Sequence, residues 1–244
     1  MITSASNPRL KLVRKLASGR QRAKLGLFAC EGEDLVAAGL AAGLQPVEAL
    51  VDAERPAPLA GLEGAEEVEP GLLAELSSLA YPPRIVAVFR TADLRRDLDA
   101  PAGLALWHVG DPGNVGTLIR TADALGPAFV ALSPGCADPT SPKALRASMG
   151  AVFRVPMGRF DDAAKPWIGL VPRGSAPLAD TELGERATFV LGAERAGLPD
   201  DVASSCNALA SIPLAEGAES LNVAAAGAIA LYERRRRSGD RSRG

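Results

Sequence analysis

The 244-residue chain holds few of the usual catalytic groups: one histidine, His108, and three widely separated cysteines, Cys30, Cys136 and Cys206. A structural zinc site needs four close Cys or His ligands, and no Cys-x-x-Cys occurs, so a metal centre of that kind is excluded. Ser-His-Asp or Cys-His catalysis would have to run through His108. That residue lies in an apparent strand, Leu104–Val109, and reads as a packed structural histidine. What remains are amides, hydroxyls, carboxylates and guanidinium groups in three glycine-bearing loops. The first is Gly110-Asp111-Pro112-Gly113-Asn114-Val115-Gly116, followed by Thr117 to Arg120. The second runs from Gly192 to Pro199 as GAERAGLP, and the third from Glu216 to Asn222 in IPLAEGAESLNVAAAGAIALYERRRR. Glycine lets a ligand approach the backbone, and polar residues at a helix start satisfy its free N–H groups. Loops of this kind hold a polar ligand on main-chain amides. An ordinary turn or a capped C-terminal helix reads the same way.

Each loop needs a strand before it. Leu104–Val109 precedes the first, Phe189–Leu191 the second and Leu209–Ile212 the third. A helix over Thr117–Leu125 follows the first loop. Asn114 can cap it, and Arg120, six residues on, lies near the same end. An Ala-rich helix follows the third loop, with Ser220 and Asn222 near its start. Ala128–Leu132 and Trp167–Val171 are further strands, separated by a turn-rich loop, Pro134–Ser141, and a helical segment, Lys143–Phe153. Apolar strands alternating with helices predict a parallel sheet covered on both faces, with ligands at the carboxyl ends of its strands. The first loop is neither Gly-x-Gly-x-x-Gly nor a P-loop. Asp138, the nearest acid for a nucleotide ribose, lies too far along its loop for a dinucleotide oxidoreductase.

Upstream, Ser6-Asn7-Pro8 followed by RLKLVRKLASGRQR reads as an amphipathic helix start with a basic outer side. A strand at Leu27–Cys30, a helix to about Leu44, a strand at Pro46–Val51, a loop over 53–70, a helix at Leu72–Leu79 and a strand at Ile85–Phe89 complete a small α/β pattern. Asp97–Gly103, with Pro101, is the linker candidate. Net charge is only −2 but uneven: residues 1–30 carry seven Lys or Arg and no acid. Residues 31–99 carry fourteen acids against five Arg, and the chain ends in Arg234–Arg237, Arg241 and Arg243. Basic ends on a mildly acidic body suit contact with a polyanion, and equally a solvated face with a frayed tail. The apolar runs fall short of the ~20 residues that cross a bilayer, and basic residues interrupt any signal-peptide pattern, so a cytoplasmic protein is expected.

Taken together and in order, the three loops resemble the motifs of the SpoU/TrmH branch of the SPOUT methyltransferases. HVGDPGNVGTLIRTADALG resembles the first motif, SPKALRASMGAVFRVP the second, and FVLGAERAGLP with IPLAEGAESLNVAAAGAIALYE the third. LKLVRKLASGRQRAKLGLFACEGEDLVAAGL resembles the L30e-like substrate-binding extension found in many members. The resemblance implies an α/β knot: a deep C-terminal trefoil knot on a mainly parallel sheet over residues 104–244, joined by a linker at 98–103 to an L30e-like α/β domain at 1–97.

It further implies S-adenosyl-L-methionine bound by the knotted loops, no metal, and methyl transfer to a ribose 2′-hydroxyl of a structured RNA. Ribosomal RNA is the expected substrate; tRNA methylation and a catalytically inactive RNA-binding module are the alternatives. Carried over by position, Asn114, Arg120, Ser220 and Asn222 are the expected catalytic set. Gly192, Glu194, Gly197, Ile212 and Leu221 are the expected cofactor contacts. Arg9, Lys11, Arg14, Lys15, Arg20 and Arg22 are the expected RNA contacts. Family members are homodimers through the methyltransferase domain, and the Ala224–Ala230 face of the last helix is the candidate interface here. One departure stands out. The family's Asn-Glu-Gly is replaced by Ala193-Glu194-Arg195.

Overall fold

The computed structural model describes residues 1–57, 59–62, 64–77 and 81–241. Two short helices open the chain, α1 (Pro8–Leu16) and α2 (Gly19–Leu25). Pro8 fits the first turn of α1, where its missing N–H has no partner to lose, and the Asn7 side chain accepts the Arg9 N–H at 2.9 Å. Then come β1 (Leu27–Glu31), α3 (Glu33–Ala41), β2 (Glu48–Asp52), β3 (Glu66–Val68), α4 (Pro70–Ala74) and β4 (Ile85–Arg90). The four strands form one sheet in the order β1-β4-β2-β3. In β4 the side chains alternate: Ile85, Ala87 and Phe89 join Phe28 and Cys30 on one face. Val86 and Val88 meet Leu10, Val13 and Leu16 of α1 on the other. β3 arises in a stretch read as loop, because a three-residue Glu-Glu-Val edge strand carries no apolar run. The helix expected at Leu72–Leu79 is shorter and earlier, and its last two positions lie outside the described residues.

The rest of the chain builds a second sheet. Its elements are β5 (Ala102–Leu106), α5 (Pro112–Leu125), β6 (Ala128–Leu132), α6 (Pro142–Ser148), β7 (Met157–Arg159), β8 (Trp167–Leu170), β9 (Ala176–Pro177), β10 (Ala187–Leu191), α7 (Asp200–Ser204), β11 (Ala208–Ser211) and α8 (Val223–Arg241). The strands run in the order β7-β6-β5-β10-β8-β11-β9, and every pairing is parallel. Leu104, Leu106, Val130 and Phe189 point toward α5 and α8, whereas Ala105, Phe129, Ala131 and Val190 form the opposite core with Phe160 and Trp167. Burial on both faces explains the near-continuous apolar runs of the central strands.

Several boundaries differ from the sequence reading. The linker ends at Pro101, since Ala102 and Gly103 already belong to β5. The segment expected to stay helical from Lys143 to Phe153 breaks at Met149 and Gly150, both left-handed, with φ of 49° and 80°. β5 stops at Leu106, so His108 is not a packed strand residue; it is exposed, with φ of 53°, its ring stacked on Trp107 at 4.9 Å.

The two sheets share one core. Phe28 and Phe89 meet Phe153 with ring centroids 6.2 and 5.6 Å apart. Arg22, only 5% exposed, donates to Asp138 at 2.7 Å and to the Leu16 and Ala17 carbonyls. The Ala-rich face of α8 also turns inward: Ala224 and Ala230 are buried, and Gly227 faces Leu118 and Leu191. The outward stripe of α8 is instead Ala225, Ile229 and Tyr232, with Ile229 39% and Tyr232 58% exposed.

Candidate active site

The three loops leave the carboxyl ends of β5, β10 and β11 and converge. β5 and β10 are neighbours, so the loop after Leu106 and the loop after Leu191 lie side by side. The first loop is shorter than its sequence suggests, because α5 begins at Pro112. Asp111, not Asn114, caps it: its carboxylate accepts the Gly113 N–H at 2.7 Å and the Asn114 N–H at 3.0 Å. Asp followed by Pro is an N-cap and first-turn pair, and that was the signal available in the sequence. Lys143 of α6 reaches the same carboxylate at 2.7 Å. This hydrogen bond first, then those from Asn114 and Gly113, hold the Asp111 carboxyl below its ordinary range against the effect of burial.

Freed from capping α5, Asn114 joins a chain of polar contacts across all three loops. Its amide donates to Glu194 Oε1 at 3.1 Å, and its carbonyl accepts from Asn222 Nδ2 at 3.1 Å. The Asn222 carbonyl oxygen in turn accepts the Ala224 and Ala225 N–H groups at the start of α8, at 2.9 and 3.3 Å. Glu194 also accepts from the Gly110 and Asp111 N–H groups at 3.4 and 3.3 Å. Burial pushes the Glu194 carboxyl up, but the bond from Asn114 and those from backbone N–H groups outweigh it, and its pKa is lowered. Glu194 is therefore a carboxylate at neutral pH and can only accept.

Beside this chain lies a cavity of about 320 Å³. Gly192, Glu194, Gly197, Ile212 and Leu221 all line it, and so does Ser220. The second loop closes on itself through reciprocal Ala193 and Gly197 backbone hydrogen bonds of 3.2 and 2.9 Å. A Cβ on Gly192 would strike the Gly197 backbone, so only glycine allows this turn. The volume falls in the usual range of small-molecule sites, roughly 300–1,000 Å³.

Not every expected residue is gathered here. Arg120 is exposed on α5, absent from the cavity lining, and without a hydrogen bond or ion pair among the described residues. Among the expected RNA contacts, Lys11, Lys15 and Arg20 are exposed and unpaired among the described residues. Arg9 pairs with Glu48 and Glu66, and Arg14 with Glu75. Arg22 is corrected: its guanidinium is buried against Asp138 and two carbonyls, a strut between the sheets with no donor turned to a ligand. Nor is the arginine run a frayed tail. Arg235 donates to the Ala124 carbonyl at 3.2 Å, and Arg237 to those of Thr181, Leu178 and Ala179 at 2.6–2.7 Å. Arg243 lies outside the described residues. No helix among the described residues is long and apolar enough to cross a membrane.

The chain is similar to known proteins. The model of the SpoU rRNA methylase family matches residues 101–232. A tRNA/rRNA methyltransferase of Synechocystis, itself uncharacterised, is 32% identical over 96% of this chain and 93% of its own length. RlmP of Bacillus subtilis, a 23S rRNA guanosine 2553 2′-O-methyltransferase, is 32% identical over 96% of this chain and 98% of its own. The crystal structure of an AdoMet-bound rRNA methyltransferase from Sinorhizobium meliloti superposes with a TM-score of 0.83, at 31% identity and 97% coverage of both chains. With a family model over more than half its length and full-length relatives of this similarity, the chain belongs to the SpoU rRNA methylase family and is an RNA methyltransferase.

Proposed function

We propose that this protein transfers a methyl group from S-adenosyl-L-methionine to the ribose 2′-hydroxyl of ribosomal RNA. The observation that carries this reading is the single cavity formed by the second and third loops, set against the Asn222–Asn114–Glu194 chain. The lining suits the cofactor. Apolar side chains such as Leu191, Ile212 and Leu221 can cover an adenine, loop backbone groups can meet its polar edge, and Glu194 and Glu219 oppose positive charge. When bound, S-adenosylmethionine supplies a methyl group already activated on a sulfonium. The protein's own task is to position the acceptor and help it lose a proton.

Asn114, Ser220 and Asn222 present amide and hydroxyl groups beside the cavity to orient the ribose. Arg120 acts as a cation, not a base. A guanidinium stays protonated at neutral pH, which leaves it no lone pair with which to take a proton. A guanidinium instead clamps the adjacent phosphate and stabilises the developing 2′-oxyanion. Because Arg120 does not line the cavity of its own chain, it serves the site of a partner subunit. The Ala225, Ile229 and Tyr232 stripe, on the helix beside α5, is the proposed dimer surface. Residues 1–97 form the RNA-gripping domain, joined near 98–101 to a methyltransferase domain whose last segment is knotted. The protein works in the cytoplasm.

The test is to incubate the purified protein with methyl-labelled cofactor and unmodified ribosomal and transfer RNA transcripts. Label in an alkali-resistant dinucleotide at one ribosomal position is the expected result. Label in transfer RNA moves the substrate, and label on a base overturns 2′-O chemistry. Cofactor binding with no transfer to either RNA points to the inactive binding module.

A further inference from the structure

The cations around the cavity differ in what holds them. Lys143 is bound to Asp111 at 2.7 Å, and Arg173 donates to the Ala218 carbonyl at 2.7 Å, bracing the third loop. Among the described residues, Arg195 is the single cationic side chain of the cavity wall. It is exposed and forms no hydrogen bond or ion pair among the described residues, although Glu194 and Glu219 line the same cavity. Glu194 is instead engaged with Asn114 and the Gly110 and Asp111 N–H groups. The Ala193 and Gly197 bridge places Arg195 at the tip of a closed turn, and Gly197 holds its φ of 67° just beyond. A guanidinium on a closed turn, without partners among the described residues and facing a cavity whose other charged side chains are Glu194 and Glu219, is arranged to receive an anion from a ligand.

We infer that Arg195 binds the α-carboxylate of the cofactor's methionine moiety, an inference that rests on the S-adenosylmethionine reading above. That moiety carries an ammonium and, in the methyl donor, a sulfonium, which the cavity's two glutamates suit. Its carboxylate has no other cation on the wall to meet. Arg presents a planar fork that matches a carboxylate in a two-point contact, which lysine lacks.

The test is calorimetric binding of S-adenosylhomocysteine and of 5′-methylthioadenosine, which keeps the adenosine and sulfur but has no amino-acid portion. Arg195→Met is expected to raise the Kd of S-adenosylhomocysteine about tenfold and to leave that of 5′-methylthioadenosine within about twofold. Arg195→Lys falls between, and added salt narrows the wild type's preference for the longer ligand. Unchanged affinity for both ligands overturns the inference. So does equal weakening of both, which signals a distorted turn. So does an unchanged S-adenosylhomocysteine Kd with a raised RNA KM, which moves the contact to an RNA phosphate. Failure of the wild type to bind S-adenosylhomocysteine at all is a different outcome and sinks the cofactor reading itself.

Discussion

At the scale of single residues, the site is ordered by the charge of Glu194. An ionised carboxylate accepts from every neighbour, so the Asn114 amide must turn its NH2 toward it and its oxygen away. Asn222 must then offer its own NH2 to that oxygen and keep its carbonyl for the α8 N–H groups. One charge thus fixes two amides that X-ray density alone rarely orients. Glu194→Gln keeps the shape but presents an NH2 where donors already converge. Methyl transfer is expected to fall about 10- to 100-fold while the fold stays intact by circular dichroism, because the mismatched donor breaks the chain that sets the Asn114 and Asn222 amides. Unchanged kcat and KM would remove Glu194 from the site's organisation. The sequence made the loops legible through their glycines, and Glu194 through the second of them. It did not reveal that Glu194 reaches Asn114, eighty residues earlier, because that contact depends on β5 and β10 being sheet neighbours. Asn114 reads as the cap in the sequence, but Pro112 takes the first helical position and gives that role to Asp111.

Among elements, legibility followed burial. The central strands β5, β6 and β10 read as unbroken apolar runs because both faces are covered. The edge strands β3, β7 and β9, of two or three residues, have no room to show a period. Charged residues misled for the opposite reason: a basic run looks solvent-facing whatever it touches. Arg22, Arg235 and Arg237 are anchors, and Glu233 organises the run on α8. It binds Arg236 at 2.9 Å and Arg237 at 2.6 Å, and its side chain is only 14% exposed. The Arg236 bond first, opposed by burial and joined by Arg237, lowers its pKa to about 2. An unfolded glutamate titrates near ~4.3, so between those values the unfolded chain binds the extra proton. The stabilisation is therefore complete above about pH 5 and is lost as pH falls toward 2. Glu233→Gln is expected to lower stability by roughly 1–2 kcal/mol at pH 7, after allowing for solvent screening, with the gap closing near pH 2. Urea titrations of both proteins across that range check it; a gap independent of pH would assign the loss to packing alone.

At the scale of the whole molecule, one fact is unaccounted for within a single chain. Asn222 bonds Asn114 and Asn114 bonds Glu194 beside the cavity, yet Arg120, on the same helix as Asn114, is exposed with no hydrogen bond or ion pair among the described residues. An exposed apolar stripe, Ile229 and Tyr232, runs along the neighbouring α8. A symmetric dimer through that surface would cover the stripe and carry each Arg120 toward the partner's loops, since a twofold interface presents the same patch twice. Sedimentation at micromolar concentration is expected to give twice the 25.1 kDa chain mass for the wild type and a single chain for Ile229→Glu with Tyr232→Glu. That monomer should still bind S-adenosylhomocysteine, whose cavity is lined by one chain, and should fail to methylate. A complementation experiment separates a shared site from a merely structural dimer. Arg120→Ala and Asn114→Ala chains are each expected to be inactive alone. Mixed after dissociation, they form heterodimers in which one site has an intact Asn114 from the first chain and an intact Arg120 from the second. Methyl transfer should return on mixing. If both residues served the site of their own chain, every site in the mixture would lack one of them, and activity would stay absent however long the subunits exchanged.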